Sequence, residues 1–259
     1  MSDQIEQSQS IFKQVIKFKS SLPRQLGAML FFAWASVFTA PHAQASELVI
    51  ISSSGNDYKV GQVVDSAADI KLAKEATLTL ISQNGKVIAL KGPHTGPLQV
   101  EKISGDEGSL IPSLKNIISG DKTEAGSLGV MRSVGTSAIP ENPWAIIASK
   151  TGNYCVSTSK SVVLWRPDSQ KTSNLILMNV DNEAEVKTVW HAGQNDLHWP
   201  RLLPLIDGAT YRVDITGESK LPKLSIRLVP DQPSSAHAAV WMAEHGCKKQ
   251  ALRLIGSIR

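Results

Sequence analysis

"TLTLISQNGKVIAL" (Thr77–Leu90) sets two apolar-rich runs on either side of Asn84-Gly85. Asn-Gly between such runs signals a hairpin, because both central residues of a type I′ turn need positive φ. A two-residue turn here places Leu80 opposite Ala89 and Ile81 opposite Ile88. Both faces of that hairpin then carry apolar side chains, so the spacing predicts a hairpin buried on both sides. The chain is therefore read as mainly β, and the neighbouring segments are read from this point outward.

The surrounding stretch, from "ELVIISSSGNDYKVGQVV" at Glu47 through "DIKLA" (Asp69–Ala73) to "NGKVIALKGPHTGPL" ending at Leu98, keeps a period of two and breaks at glycines. With its turn at Val60 and Gly61, its strands at "DIKLA" and "TLTLI" and its close at Gly92 and Pro93, it resembles a FecR-like periplasmic β-domain, bounded here as 46–103. Residues 104–143 read as a connection rich in Gly, Ser and Thr. Within it, Leu110, Ile111, Leu114, Ile117 and Ile118 fall at helical spacing and predict one short amphipathic helix stopped by Gly120.

Seven short strand-like runs follow between Trp144 and Pro230: "WAIIAS", "YCVST", "SVVLW", "NLILMNV", "EVKTVW", "TYRVDIT" and "KLSIRLV". Their number, length and turn frequency predict an Ig/fibronectin-like β-sandwich over 144–230. "SVVLWRPDS" resembles the fibronectin type III strand whose tryptophan, here Trp165, enters the core. In "LPLIDGATYRV", Tyr211 stands six residues after Leu205, the spacing of that family's tyrosine corner, in which the phenol bonds backbone across a loop. The tail, 231–259, reads as helical: Ser234 or Ser235 caps its start, and Ala238, Trp241 and Met242 share a face. Gly246 breaks it, and Ala251, Leu252 and Ile255 line a second helix, the pair docking on the sandwich.

At the other end, the uncharged apolar run Leu26–Ala40 follows Lys13, Lys17, Lys19 and Arg24 and precedes small residues at Ala43 and Ala45. That is the pattern of a secretory signal over 1–45, cleaved after Ala45. The run is short against the roughly 20 apolar residues of a bilayer span, and retention as an inner-membrane anchor is the competing reading. Export to the periplasm, or secretion, follows. The leader also holds four of the basic side chains that give the chain its formal charge of +4. What remains is nearly neutral and carries no dense basic stripe, which argues against nucleic acid as a partner. Cys155 and Cys247 are the two cysteines; in an oxidising compartment they are expected to pair. Neither stands in a Cys-His nucleophile signature.

"WHAGQNDLHWP" (Trp190–Pro200) offers the candidate site residues His191, Asp196 and His198. A zinc centre would need three or four ligands converging with further support, and no outlying cluster supplies the remainder. The preferred reading is a hairpin-like connection that packs Trp190 and Trp199 and leaves the histidines at its rim. "SSSG" (Ser52–Gly55) lacks the nucleophile elbow, and "KGPHTGP" (Lys91–Pro97) lacks the spacing of a phosphate loop. The acids Asp181, Glu183 and Glu185 read as solvated turn charges rather than a glycosidase pair.

The expectation is a non-enzymatic exported cell-envelope protein acting as a binding, scaffold or sensory-accessory module, with no cofactor and no metal. FecR-like domains, as the resemblance implies, act beside membrane receptors or sensors, so the expected partner is the periplasmic domain of a membrane protein. A cell-wall glycan is the competing partner. It would need exposed aromatics, whereas aromatic residues are 5% of the chain and read as core-facing. The competing function is a cell-envelope hydrolase or polysaccharide-binding protein with a site near Asp196 and His198.

Overall fold

The run Leu48–Ile51 is apolar without alternation because both faces of its strand are covered. Strand β1 (Glu47–Ser53) lies inside an antiparallel sheet, between β2 (Val63–Asp65) and β4 (Thr77–Ser82), with β5 (Val87–Lys91) at the far edge. Strands β3 (Ile70–Leu72) and β6 (His94–Gly96) pair as a separate ribbon. Leu48, Ile50, Leu78 and Leu80 of the sheet close on Ile70 and Leu72 of the ribbon. Val49, Ile51 and Ile81 point the other way, into a helical layer. "KGPHTGP" contains strand β6, with His94 half-buried. The computed structural model describes residues 46–55, 57–98, 100, 110–120 and 139–258. The expected signal segment, its cleavage point and most of the 104–143 connection lie outside the described residues. The described residues form one compact unit.

The hairpin at Asn84-Gly85 forms, with a register one residue away from the expected one. Leu78 faces Leu90, Leu80 faces Ile88, and Ile81 faces Val87. The loop is longer than two residues: Gly85 N–H donates to Ser82 O at 2.8 Å, and Ser82 N–H donates to Lys86 O at 3.0 Å. Gly85 takes the left-handed conformation, φ +78°, as the residue after a type I turn in a three-residue hairpin loop. The physical reason lies in the core. Opposed residues of an antiparallel pair share a face, so this register directs Leu78, Leu80, Ile88 and Leu90 together toward Ile70 and Leu72. Burial on both sides holds for β4 alone, since β5 alternates between exposed and half-buried as an edge strand.

Among the described residues, three helices make the layer behind this sheet. Helix α1 (Leu110–Ser119) buries Leu110, Ile111, Leu114, Ile117 and Ile118, the residues its spacing singles out. Helix α2 (Ser235–Glu244) starts at Ser234, whose hydroxyl accepts from His237 N–H, and α3 (Lys248–Ser257) follows the break at Gly246. The hairpin loop joins the first module to both α1 and α2. Gln83 Oε1 accepts from Ile111 N–H at 3.2 Å, and Gly85 lies so close to α2 that a Cβ there would overlap Ser234 Oγ and approach His237 Nδ1 to 3.0 Å.

On its other side the layer holds the second module. Cys155 and Cys247 form a disulfide with Cα atoms 5.9 Å apart. Beside it, the buried Gln250 amide accepts from Cys155 N–H at 2.8 Å and donates to Cys155 O at 3.0 Å. Cys155 belongs to β8 (Gly152–Ser157), an edge strand. Gln250 thus satisfies a pair of backbone groups that the missing neighbour strand would have bonded, at a site where leaving them unmet costs about 1–3 kcal/mol per group. The C-terminal helices reach the sandwich through these contacts, through Val229 and through Arg253, whose Nη2 donates to Ala145 O at 3.5 Å. They bury most of their apolar face with α1 and the first module.

The second module is a sandwich of two sheets. The larger runs β11 (Glu185–Trp190), β10 (Ser173–Asn179), β13 (Thr210–Ile215), β14 (Lys223–Val229), β8, with β8 parallel to β14. The smaller runs β12 (Asp196–His198), β9 (Val163–Trp165), β7 (Ile146–Ile147). Leu164, Leu175, Leu177, Trp190, Tyr211, Val213, Leu224 and Ile226 fill the space between them. Tyr211 makes the expected corner, its hydroxyl donating to Pro204 O at 2.6 Å and accepting from Ile206 N–H at 3.0 Å. Leu205 is half-buried against the same core. Trp165 is buried, 6% exposed, but it lies outside the central cluster. Alternation on β9 sends Leu164 inward and Trp165 to the opposite side. The central tryptophans are Trp190 and Trp199, the latter edge-on to Tyr211 with centroids 5.0 Å apart.

Candidate functional site

"WHAGQNDLHWP" folds as the end of β11, a turn and the three-residue strand β12. Its organiser is Arg166, 3% exposed, on the chain just after β9. The guanidinium lies over the Trp190 ring, 4.8 Å from its centroid. It donates from Nη2 to His191 O at 2.7 Å and from Nε to Gln194 O at 3.1 Å. Asn195 Nδ2 returns a bond to Arg166 O at 2.9 Å, and Gly193 N–H reaches Ser169 O at 2.6 Å. Burial pushes the Arg166 guanidinium down from its ordinary value, with Asp168 and Glu218 acting in the opposite direction. The cation is therefore used up in holding carbonyls and a ring. A single arginine next to a tryptophan carries no sequence mark of that duty.

His191, Asp196 and His198 are all exposed. Asp196 pairs across the ladder with Trp165 and His198 with Val163, so the two side chains stand on one face of β12 at its opposite ends. Asp196 lines a depression of about 810 Å³ with Trp165, Asp168, Glu141 and Asn195. His198 lines a different groove, of about 640 Å³. His191 sits in the turn and is not among the residues lining either one. The three candidates do not converge. Among the described residues no group of three or more His, Cys, Asp and Glu side chains is placed to hold a metal ion.

The two hollows differ in chemistry. The larger has three carboxylates, Glu141, Asp168 and Asp196, and no lysine or arginine in its lining. The smaller has Lys160, Arg201 and His198 and no carboxylate in its lining, with the hydroxyls of Ser157, Thr158 and Ser161 and an apolar wall of Trp199, Leu205 and Leu228. Lys160 comes from the β8–β9 turn and Arg201 from the loop after β12, segments some forty residues apart in sequence, so no motif joins them. The loop is held rigidly: Trp199 Nε1 donates to Leu203 O at 2.7 Å, beyond which Tyr211 clamps Pro204 and Ile206. Burial raises the Tyr211 hydroxyl above its ordinary value, the Ile206 bond opposing, so the phenol stays a donor to Pro204 at any neutral pH.

Among the described residues no helix is long and apolar enough to cross a membrane. The disulfide is the mark of an oxidising, exported compartment. No protein-family model matches the sequence, and no curated protein matches it.

Proposed function

We propose that the chain is a non-enzymatic, exported cell-envelope protein that presents binding surfaces to another envelope component. In this reading the first module is a FecR-like β-domain and the second a fibronectin type III-like sandwich, and the apolar run at Leu26–Ala40 directs the chain to the periplasm. The observation that carries it is the separation of the reactive side chains. Asp196 and His198 are exposed in two separate open hollows of opposite charge on a rigid frame, and His191 is exposed in the turn outside both, an arrangement suited to contact and not to proton transfer, which needs acid and base within hydrogen-bond reach of one bond. The partner is the periplasmic domain of a membrane protein.

Crosslinking in intact cells, followed by mass spectrometry of what is captured, tests this reading. The expected result is a membrane protein joined through its exported domain. Recovery of cell-wall glycan alone would replace the partner assignment. A hydrolytic activity that disappears in His198→Ala would replace the non-enzymatic one.

A further inference from the structure

We infer that the groove between the β8–β9 turn and the loop after β12 is a binding site for a phosphate group, held by Lys160, Arg201 and His198. The groove holds about 640 Å³ and is lined by these three nitrogen-bearing side chains, by Ser157, Thr158 and Ser161, and by Trp199, Leu205 and Leu228. Among the described residues neither Lys160 nor Arg201 forms an ion pair. Lys160 instead leans on the Trp144 ring, its Nζ 5.2 Å from the centroid.

At this end of the sandwich Asp207 is engaged with other partners. Asp207 binds Arg227 at 3.7 Å and accepts from Leu228 N–H at 2.9 Å. Asp181 and Glu183 stand in the β10–β11 turn at the same end of the sandwich, but β10 is separated from β14 by β13 and from β8 by both. Lys160 and Arg201 are exposed on the walls of one groove, where an anion would relieve the repulsion between like charges more strongly than water does. A tetrahedral oxyanion accepts from lysine, from the planar arginine fork and from hydroxyls at once.

The walls are already in place. Ser159 N–H donates to Ser157 Oγ at 3.2 Å and fixes the turn that carries Lys160. Trp199 and Tyr211 hold the opposing loop through Leu203, Pro204 and Ile206. Binding therefore needs little ordering of backbone, which favours affinity for a small group. The apolar wall suits the carbon skeleton attached to the phosphate, whether a free phosphate ester or the headgroup of a phospholipid. This inference goes beyond the partner reading and does not depend on it, since a protein could be crosslinked through the rest of the surface with the groove empty.

The test uses the full chain. Glycerol 3-phosphate is titrated while backbone amide resonances are followed, and co-sedimentation is measured with phosphatidylglycerol vesicles and with phosphatidylcholine vesicles. Saturable shifts at residues 157–162 and at His198, Trp199 and Arg201 are expected, with affinity falling on the order of tenfold in Lys160→Gln and again in Arg201→Gln. Glu141→Gln, in the acidic hollow, serves as the control and leaves binding unchanged. Vesicle capture that the Lys160→Gln/Arg201→Gln pair weakens relative to the parent chain assigns the lipid source, whereas glycerol 3-phosphate binding without that effect assigns the free ester. Both outcomes support the site. Absence of glycerol 3-phosphate binding together with vesicle capture that the double variant leaves intact overturns it, as does undiminished glycerol 3-phosphate affinity in the double variant at an unchanged melting temperature.

Discussion

Between the sheets of the sandwich lie Trp190, Trp199, Tyr211 and a continuous set of leucines, isoleucines and valines contributed by its own strands. Between the sheet and ribbon of the first module lie Leu48, Ile50, Ile70, Leu72, Leu78 and Leu80. The other face of that sheet is covered by α1, α2 and α3, which come from beyond it in sequence and, for two of them, from the far end of the chain. One module has an interior built from its own strands; the other completes its burial with borrowed helices. A small β-structure has a high surface-to-volume ratio and buries too little on its own. The difference teaches that stability in this protein is organised around the helical layer, which both modules share through β1 on one side and β8 on the other.

The largest expected effect comes from opening the Cys155–Cys247 bond, which closes a loop of 92 residues. In the chain-entropy account the cross-link is worth on the order of 4–5 kcal/mol. The Cys155→Ser/Cys247→Ser variant should lose hydrogen-exchange protection first in α2, α3 and the first module, with β10, β13 and β14 following at higher denaturant. Simultaneous loss everywhere would break the comparison and make the whole unit a single cooperative block.

Gly85→Ala should be the next most harmful change. It forces a side chain into the left-handed region and against Ser234 at the start of α2, for a cost of about 2–4 kcal/mol combining backbone strain with overpacking. A fall in the denaturant midpoint, with chemical-shift changes in α1 and α2 and little in the sandwich, is the expected readout. Tyr211→Phe acts on the other module. It removes the donor to Pro204 and the acceptor for Ile206 and should cost about 1–2 kcal/mol, with perturbation spreading along the 199–206 loop and sparing the first module.

The smallest effect is a pH dependence at the joint. His237 stands in the first turn of α2, its Nδ1 2.8 Å from Ser234 Oγ, and burial holds its pKa below the ordinary value. The unfolded chain therefore binds the proton more readily. Stability is at its full value above the unfolded imidazole value of about 6.5, declines as pH falls through it, and levels off below the depressed folded value. A melting curve from pH 7.5 to 5 should show this decline, and His237→Gln should flatten it; an unchanged slope would remove the joint as a pH-sensitive point.

Much of this architecture is legible in residues whose role is local. The α1 spacing, the Ser234 cap, the Gly246 break and the Leu205-to-Tyr211 corner each depend on neighbours within a turn or two, and each stands where its pattern points. Strand β12 escapes a pattern reading because it has three residues, two of them polar. The groove escapes because Lys160 and Arg201 share no segment.

By itself the sequence determined the mainly β class, the positions of most strands and the helical tail, since alternation, helical spacing and turn residues act over short distances. Only the tertiary structure decided the hairpin register, because Leu80 and Ile88 align to meet Ile70 and Leu72, which lie outside the hairpin. It also decided which tryptophans enter the sandwich core, which helix face closes the first module, and that Gln250 bonds the edge of β8. These choices rest on contacts between residues far apart in the chain, and burial rewards such contacts only once both partners have arrived.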